Sequence, residues 1–123
     1  MIQAEKYNDQ SGTGVHTLAG GQITQVDYIS NGDWLRYDNV QFSGQTIVSI
    51  WAEQAAAGTV EVHLDSMNNT PTWSVTGPID RGQYGFVGHT AGTVQAVSGY
   101  HTVYLRFVTS TDHFINVDSF NFS

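Results

Sequence analysis

Hydrophobic and polar residues alternate along most of this chain with a period of two. In Thr59-Val60-Glu61-Val62-His63-Leu64-Asp65, Val60, Val62 and Leu64 fall on one face and Glu61 and His63 on the other. The run from Thr102 to Phe107 repeats this, with Val103, Leu105 and Phe107 inward and Arg106 outward. From Asp33 to Val40, Leu35 and Tyr37 face opposite to Trp34 and Arg36. Ile47 to Trp51 and Asn116 to Phe122 read as further strands, and Ile2-Gln3-Ala4-Glu5 as a short edge or end strand. Turn-forming runs separate them: Ser11-Gly12-Thr13-Gly14, Gly20-Gly21, Asn31-Gly32-Asp33, Ser43-Gly44, Ala57-Gly58, Asn68-Asn69, Gly77-Pro78 and Ser98-Gly99. Ala55-Ala56-Ala57 is too short for a helix and is stopped by Gly58. Many short strands at this spacing predict an all-β fold, a two-sheet β-sandwich of the jelly-roll kind.

The length, 123 residues, suits one domain spanning the whole chain. A domain of this size buries roughly two-thirds of its unfolded surface, enough for one core. There is no cysteine, so packing or a metal must hold the loops. Eleven acids against four bases give a net charge of −7, and Lys6 is the single lysine. That balance argues against nucleic acid, where Lys and Arg on phosphate dominate, and against anionic membranes. No apolar run approaches the ~18 residues of a spanning helix. Met1 is followed by Gln3, Glu5 and Lys6 rather than an apolar leader, and the chain is read as a module of a longer secreted protein.

Six Tyr, six Phe and three Trp bring the composition to bear on function, because the apolar faces of sugar rings stack on aromatic faces. Trp51 and Trp73 read as packing or surface residues rather than platforms. None of the five His forms a pair at metal-ligand spacing, so zinc is not expected. A glycosidase needs two carboxyls about 5 to 10 Å apart across the bond it cleaves. Asp33 and Glu61 are the obvious strand carboxylates, and both have structural explanations. No Ser-His-Asp signature or phosphate loop occurs. The chain is therefore read as a binding protein and not an enzyme. An adhesive β-sandwich is the alternative, and its mark would be an exposed apolar patch.

Ile2-Gln3-Ala4-Glu5, Ser11-Gly12 and Tyr28-Ile29-Ser30-Asn31-Gly32-Asp33-Trp34-Leu35 resemble the start of family 6 carbohydrate-binding modules. Gly58 to Val62, Ser98 to Val103 and Asn116 to Phe120 follow in the expected order, so the resemblance spans the chain. It implies a jelly roll that binds a β-linked polysaccharide and accompanies a glycoside hydrolase, here acting as a monomer. Two clefts are implied. In the loop cleft Tyr28 and Tyr84 would sandwich a sugar, Asn116 would tether it, and Asp27 and His113 would add polar contacts. Tyr84 stands where members usually have Trp, and Leu18 where some carry a Glu that closes one end. On the concave sheet face Trp34 would be the platform, with Arg36, His63 and Arg106 around it; this face ranks second.

The resemblance also implies a structural Ca²⁺ held by Gln3, Glu5 and Asp118, with loop carbonyls near Lys6 and from Gly20 to Ile23. Carboxylate, amide and carbonyl oxygens are what this hard cation takes. The acidic composition points toward β-1,3-glucan or agarose, with xylan also within the family's range.

Overall fold

The computed structural model describes residues 1–17, 24–77, 79 and 86–123. The strands are β1 (Ile2–Gln3), β2 (Asp9–Ser11), β3 (Gly14–Thr17), β4 (Thr24–Asp27), β5 (Trp34–Gln54), β6 (Gly58–Leu64), β7 (Trp73–Val75), β8 (Val87–Thr109) and β9 (Ile115–Phe122). A single 3₁₀ turn, Ala4–Lys6, is the one helical element among the described residues. Every pairing is antiparallel, in the order β3-β4-β9-β5-β8-β6-β7, with β1 on β9 and β2 on β5.

Two strands are far longer than the pattern predicts. The expected turns at Ser43-Gly44 and Ser98-Gly99 are corners inside β5 and β8. Ser43 pairs with Ser98 and Phe42 with Gly99, and the register shifts between Ser43 and Gln45 and again before Ile47. Gly44 and Gly99 hold positive φ, 105° and 87°, where a side chain would be strained. Such bulges bend a strand and raise its twist. Here they carry β5 and β8 from one layer into the other. Their halves at Trp34–Ser43 and Ser98–Arg106 lie with β2, β6 and β7 in a first layer. Their halves at Gln45–Ala52 and Val87–Val97 lie with β9, β4, β3 and β1 in a second.

The core fills the space between the layers. Leu35, Val60, Val62, Val103, Leu105 and Phe107 come from the first and Val26, Val48, Ile50, Ala52, Val117 and Phe120 from the second, all buried in one cluster. Tyr37 meets Phe120 edge-on across the gap at 4.8 Å between centroids. Trp73, in the short β7 that the pattern does not announce, is buried against Phe42 and Phe122, and its indole N–H donates to Thr46 O at 3.1 Å. The two-sheet β-sandwich read from the alternation is the fold observed.

Two local expectations need correction. The strand expected over residues 2–5 stops at Gln3, and Ala4–Lys6 turns as a 3₁₀ helix. Ala4 is fully buried, and its carbonyl accepts from Tyr37 Oη at 2.7 Å rather than from a strand. The inward set of β6 holds for Val60 and Val62, whereas Leu64 is half-buried and His63 enclosed. The cause is the segment after β6. Asn69 Nδ2 donates to Leu64 O at 3.0 Å and Thr72 N to Val62 O at 2.9 Å, folding it back over the strand.

Candidate functional site

At one end of the sandwich the turn after β4 is held by the Asn31-Gly32-Asp33 run. Ser30 N donates to Asp33 Oδ2 at 2.8 Å, Gly32 N to Phe107 O at 2.9 Å, and Thr109 N to Asn31 Oδ1 at 3.1 Å. Gly12 is small because the Asp33 carboxylate occupies the space of its missing side chain. Asp33 therefore anchors a turn, as its structural explanation requires. The turn presents Tyr28 in the left-handed region, φ 54°, with the residue 51% exposed. A non-glycine residue held there is strained, and such strain collects at functional sites.

Two neighbours place that ring. A Cβ on Gly14 would lie 2.6 Å from Tyr28 Cδ2, so the glycine leaves a seat for it. His113, also left-handed at φ 53°, stands edge-on to Tyr28 with centroids 5.0 Å apart. The two loops are joined where Phe114 N donates to Ile29 O at 3.2 Å. Asn116, the second residue of β9, is half-buried and paired with Glu53 of β5. Asp27 is buried and accepts from Gln25 Nε2 at 3.0 Å. Val26 pairs with Val117, so Asp27 and Asn116 are neighbours across the β4–β9 pairing. Tyr28, His113, Asp27 and Asn116 thus share one end of the second layer. Tyr84 and Leu18 lie outside the described residues.

The outer face of the first layer carries the second candidate set. Trp34 pairs with Arg106 and Arg36 with Tyr104, and Trp34 meets Tyr104 edge-on at 6.3 Å. The cations are neutralised in place: Arg36 Nε donates to Asp38 Oδ1 at 3.0 Å, and Arg106 Nη1 lies 3.9 Å from Glu61 Oε1. Asp9 stands 3.6 Å from Arg36. His63 departs from the expected role. It points to this face but is only 2% exposed, and its ring nitrogens lie 3.0 Å from Asn69 Oδ1 and 3.0 Å from Glu61 Oε1. Enclosed by the folded-back segment, it has no atom to offer a ligand. Glu61 serves this pairing, as Asp33 serves its turn.

Gln3 on β1, Glu5 in the following turn and Asp118 on β9 lie on elements that come together where the chain ends pair. Gln3 is opposite Ser119, whose Oγ donates to Asp118 Oδ2 at 3.0 Å. Glu5 Oε2 is buried without a hydrogen-bond partner. Burial first, then the Glu5 carboxylate and Tyr7, push the Tyr37 phenol above its ordinary range. A buried carboxylate oxygen with no donor is costly unless a cation or proton meets it, so these residues fit a hard cation. Among the described residues no cluster of three or more His, Cys, Asp or Glu side chains stands ready for a metal. The set supplies two carboxylates and an amide, and Gly20 to Ile23 lie outside the described residues.

The model of the family described as "Carbohydrate binding module (family 6)" matches residues 3–123. The chain belongs to this family. Among solved structures it is similar to a family 6 module from Clostridium cellulolyticum in complex with xylose, at 29% identity and TM-score 0.89, over 99% of this chain and 95% of that one. A module from Clostridium stercorarium in complex with cellobiose matches at 27% identity and TM-score 0.86, over 99% and 91%. A β-1,3-glucan binding module from Bacillus halodurans matches at 26% and TM-score 0.85, over 98% and 92%. The family is one of non-catalytic modules that bind carbohydrate.

Within the module, sequence reasoning missed Tyr104, Gly14 and Glu53. Alternation placed Tyr104 outward beside Arg106, and that signal was there to read. Gly14 read as part of a turn but opens β3, and Glu53 carried no local signal; both roles arise from pairing, with β4 and β9.

Proposed function

We propose that the module holds a neutral β-linked polysaccharide at the loop end of its second layer. Tyr28 is the stacking ring, Asn116 the tether, Asp27 and His113 the flanking polar groups, and Tyr84 the ring opposite. The carrying observation is Tyr28: half-exposed, strained, seated on Gly14 and braced by His113. Exposing an aromatic face on a strained backbone costs free energy, and a stacking partner explains why it is kept. Asn116 adds an amide that both donates to and accepts from hydroxyls without charge.

The polysaccharide is of the xylan, β-1,3-glucan or agarose type. The module is secreted and holds an appended glycoside hydrolase at its substrate. A structural Ca²⁺ bound by Gln3, Glu5 and Asp118 fixes the chain ends. The test is affinity electrophoresis against this glycan panel. Tyr28→Ala is expected to weaken binding by about 1–3 kcal/mol, the scale of losing one aromatic stacking partner. Its melting temperature should stay close to the wild type. Wild-type affinity in Tyr28→Ala, with loss in Trp34→Ala, would move the site to the sheet face.

A further inference from the structure

The outer face of the second layer carries an aromatic ring that the site described above does not use. Along β5, Val48, Ile50 and Ala52 are buried, whereas Ile47, Ser49 and Trp51 turn outward. Trp51 is 44% exposed and Ile47 38%. Opposite Trp51 on β8 is Gly88, and a Cβ built there would just touch the indole at 3.9 Å. No side chain rises from that position to cover the ring. On its other flank Trp51 pairs with Ser119, which is fully buried. The next pair along the face, Ser49 with Thr90 and Asn121, is uncharged.

This ring adjoins the cleft. Glu53 follows Trp51 by two residues on the same side of β5, and Glu53 pairs with Asn116. The step along a strand between residues on one face is about 7 Å. Diagonal neighbours on paired strands stand about 7–8 Å apart, within reach of aromatic side chains. The bulge that adds Asp118 to β9 lies between the two positions. From Asn116, the next outward position along β5 is thus an exposed indole beside a glycine.

We propose that Trp51 forms an added subsite, on which a further sugar of the same chain stacks as it leaves the Tyr28–Asn116 cleft. The inference rests on the proposed cleft and extends it. A lone indole and one isoleucine are too little apolar surface for a stable protein interface, which takes about 800 Å² on each partner. Hydroxyl and amide groups on one side of the flat ring, with the Glu53 carboxylate one step away on the other, suit a neutral saccharide instead.

The test measures affinity for disaccharides and hexasaccharides of β-1,4-xylan, β-1,4-glucan and β-1,3-glucan by titration calorimetry. Trp51→Ala should bind the preferred disaccharide as the wild type does and bind the matching hexasaccharide about five- to a hundredfold more weakly. Trp51→Phe should fall between, and it carries the test if Trp51→Ala does not fold. Tyr28→Ala should weaken both lengths. Hexasaccharide binding unchanged in both Trp51 variants, with loss in Tyr28→Ala, would overturn the added subsite and leave the cleft standing. Unchanged binding in Tyr28→Ala would instead sink the cleft and the extension that rests on it. Equal loss at both lengths in Trp51→Ala would also overturn it, by placing Trp51 in the primary site.

Discussion

Tyr28 owes its position to a residue with no chemistry of its own. Gly14 has an ordinary backbone, so replacing it acts through space alone. In Gly14→Ala the new methyl group would sit 2.6 Å from the Tyr28 ring and 3.0 Å from Asp27 Oδ1. Tyr28 is half-exposed, so the cost should fall on binding more than on stability. The expected outcome is a loss of affinity within the ~1–3 kcal/mol of Tyr28→Ala, with the melting temperature nearly kept. Calorimetry on one glycan with both variants checks this. Wild-type affinity in Gly14→Ala would mean the seat does not set the ring. At this scale it was the family resemblance that singled out the side chains to suspect, and the chemistry of rings and amides made that reading coherent. It did not show what holds them, because Gly14 meets Tyr28 only through the β3–β4 pairing. His63 fails for the converse reason: alternation gave its face, and a loop from elsewhere decided its exposure.

Among elements, the corners of β5 and β8 show how one local signal has two meanings. Ser43-Gly44 and Ser98-Gly99 have turn chemistry, and the pattern reads them as chain reversals. Each is a bulge, because the other lies directly across the ladder and both strands bend together. Only pairing partners distinguish these outcomes, and pairing is not local. Next to this corner His101 ties the segment after β6 to β8. Its Nδ1 lies 2.7 Å from Asp65 Oδ2 and its Nε2 2.8 Å from Ser98 O. Two acceptors favour the doubly protonated ring. The Asp65 bond first, then the Ser98 carbonyl, raise the His101 pKa above 6.5, and the His101 bond lowers that of Asp65 below 3.8. The raised His contributes stability that is complete below 6.5 and lost as pH rises through its folded value. The lowered Asp contributes stability complete above 3.8 and lost as pH falls through its folded value. The pair is one interaction seen twice, so its window is about pH 4 to 6.5. Asp65 is 59% exposed, which keeps the effect within the ~0–1 kcal/mol of surface pairs. His101→Gln should melt lower than the wild type inside this window, and the difference should fade as pH rises beyond it. A difference that does not vary with pH would show that the ring acts by packing alone.

For the molecule as a whole, the sandwich was legible because alternation survives in β6 and in the core-facing stretches of β5 and β8 around Leu35, Ile50 and Leu105, while β7 and the 3₁₀ turn were too short to carry a pattern. What the pattern cannot supply is closure of the chain ends. There β1 contributes two residues to β9, and the Ala4–Lys6 turn follows with a buried, partnerless Glu5 oxygen. Two ladder pairs are a weak clasp for a chain with no disulfide. A Ca²⁺ taken by Gln3, Glu5 and Asp118 would join the first turn to the last strand and answer the Glu5 oxygen. A ligand bound only by the native state adds about 2.7 kcal/mol when free ion exceeds its Kd a hundredfold. In a domain of this size that is on the order of 10 °C in melting temperature. Chelation with EDTA should lower the wild-type melting temperature by that order, and added Ca²⁺ should restore it. Glu5→Gln should respond to neither, because the amide removes the charge that draws the ion. Equal melting curves for the wild type with and without EDTA, and no ion by elemental analysis, would overturn the metal clasp at the chain ends.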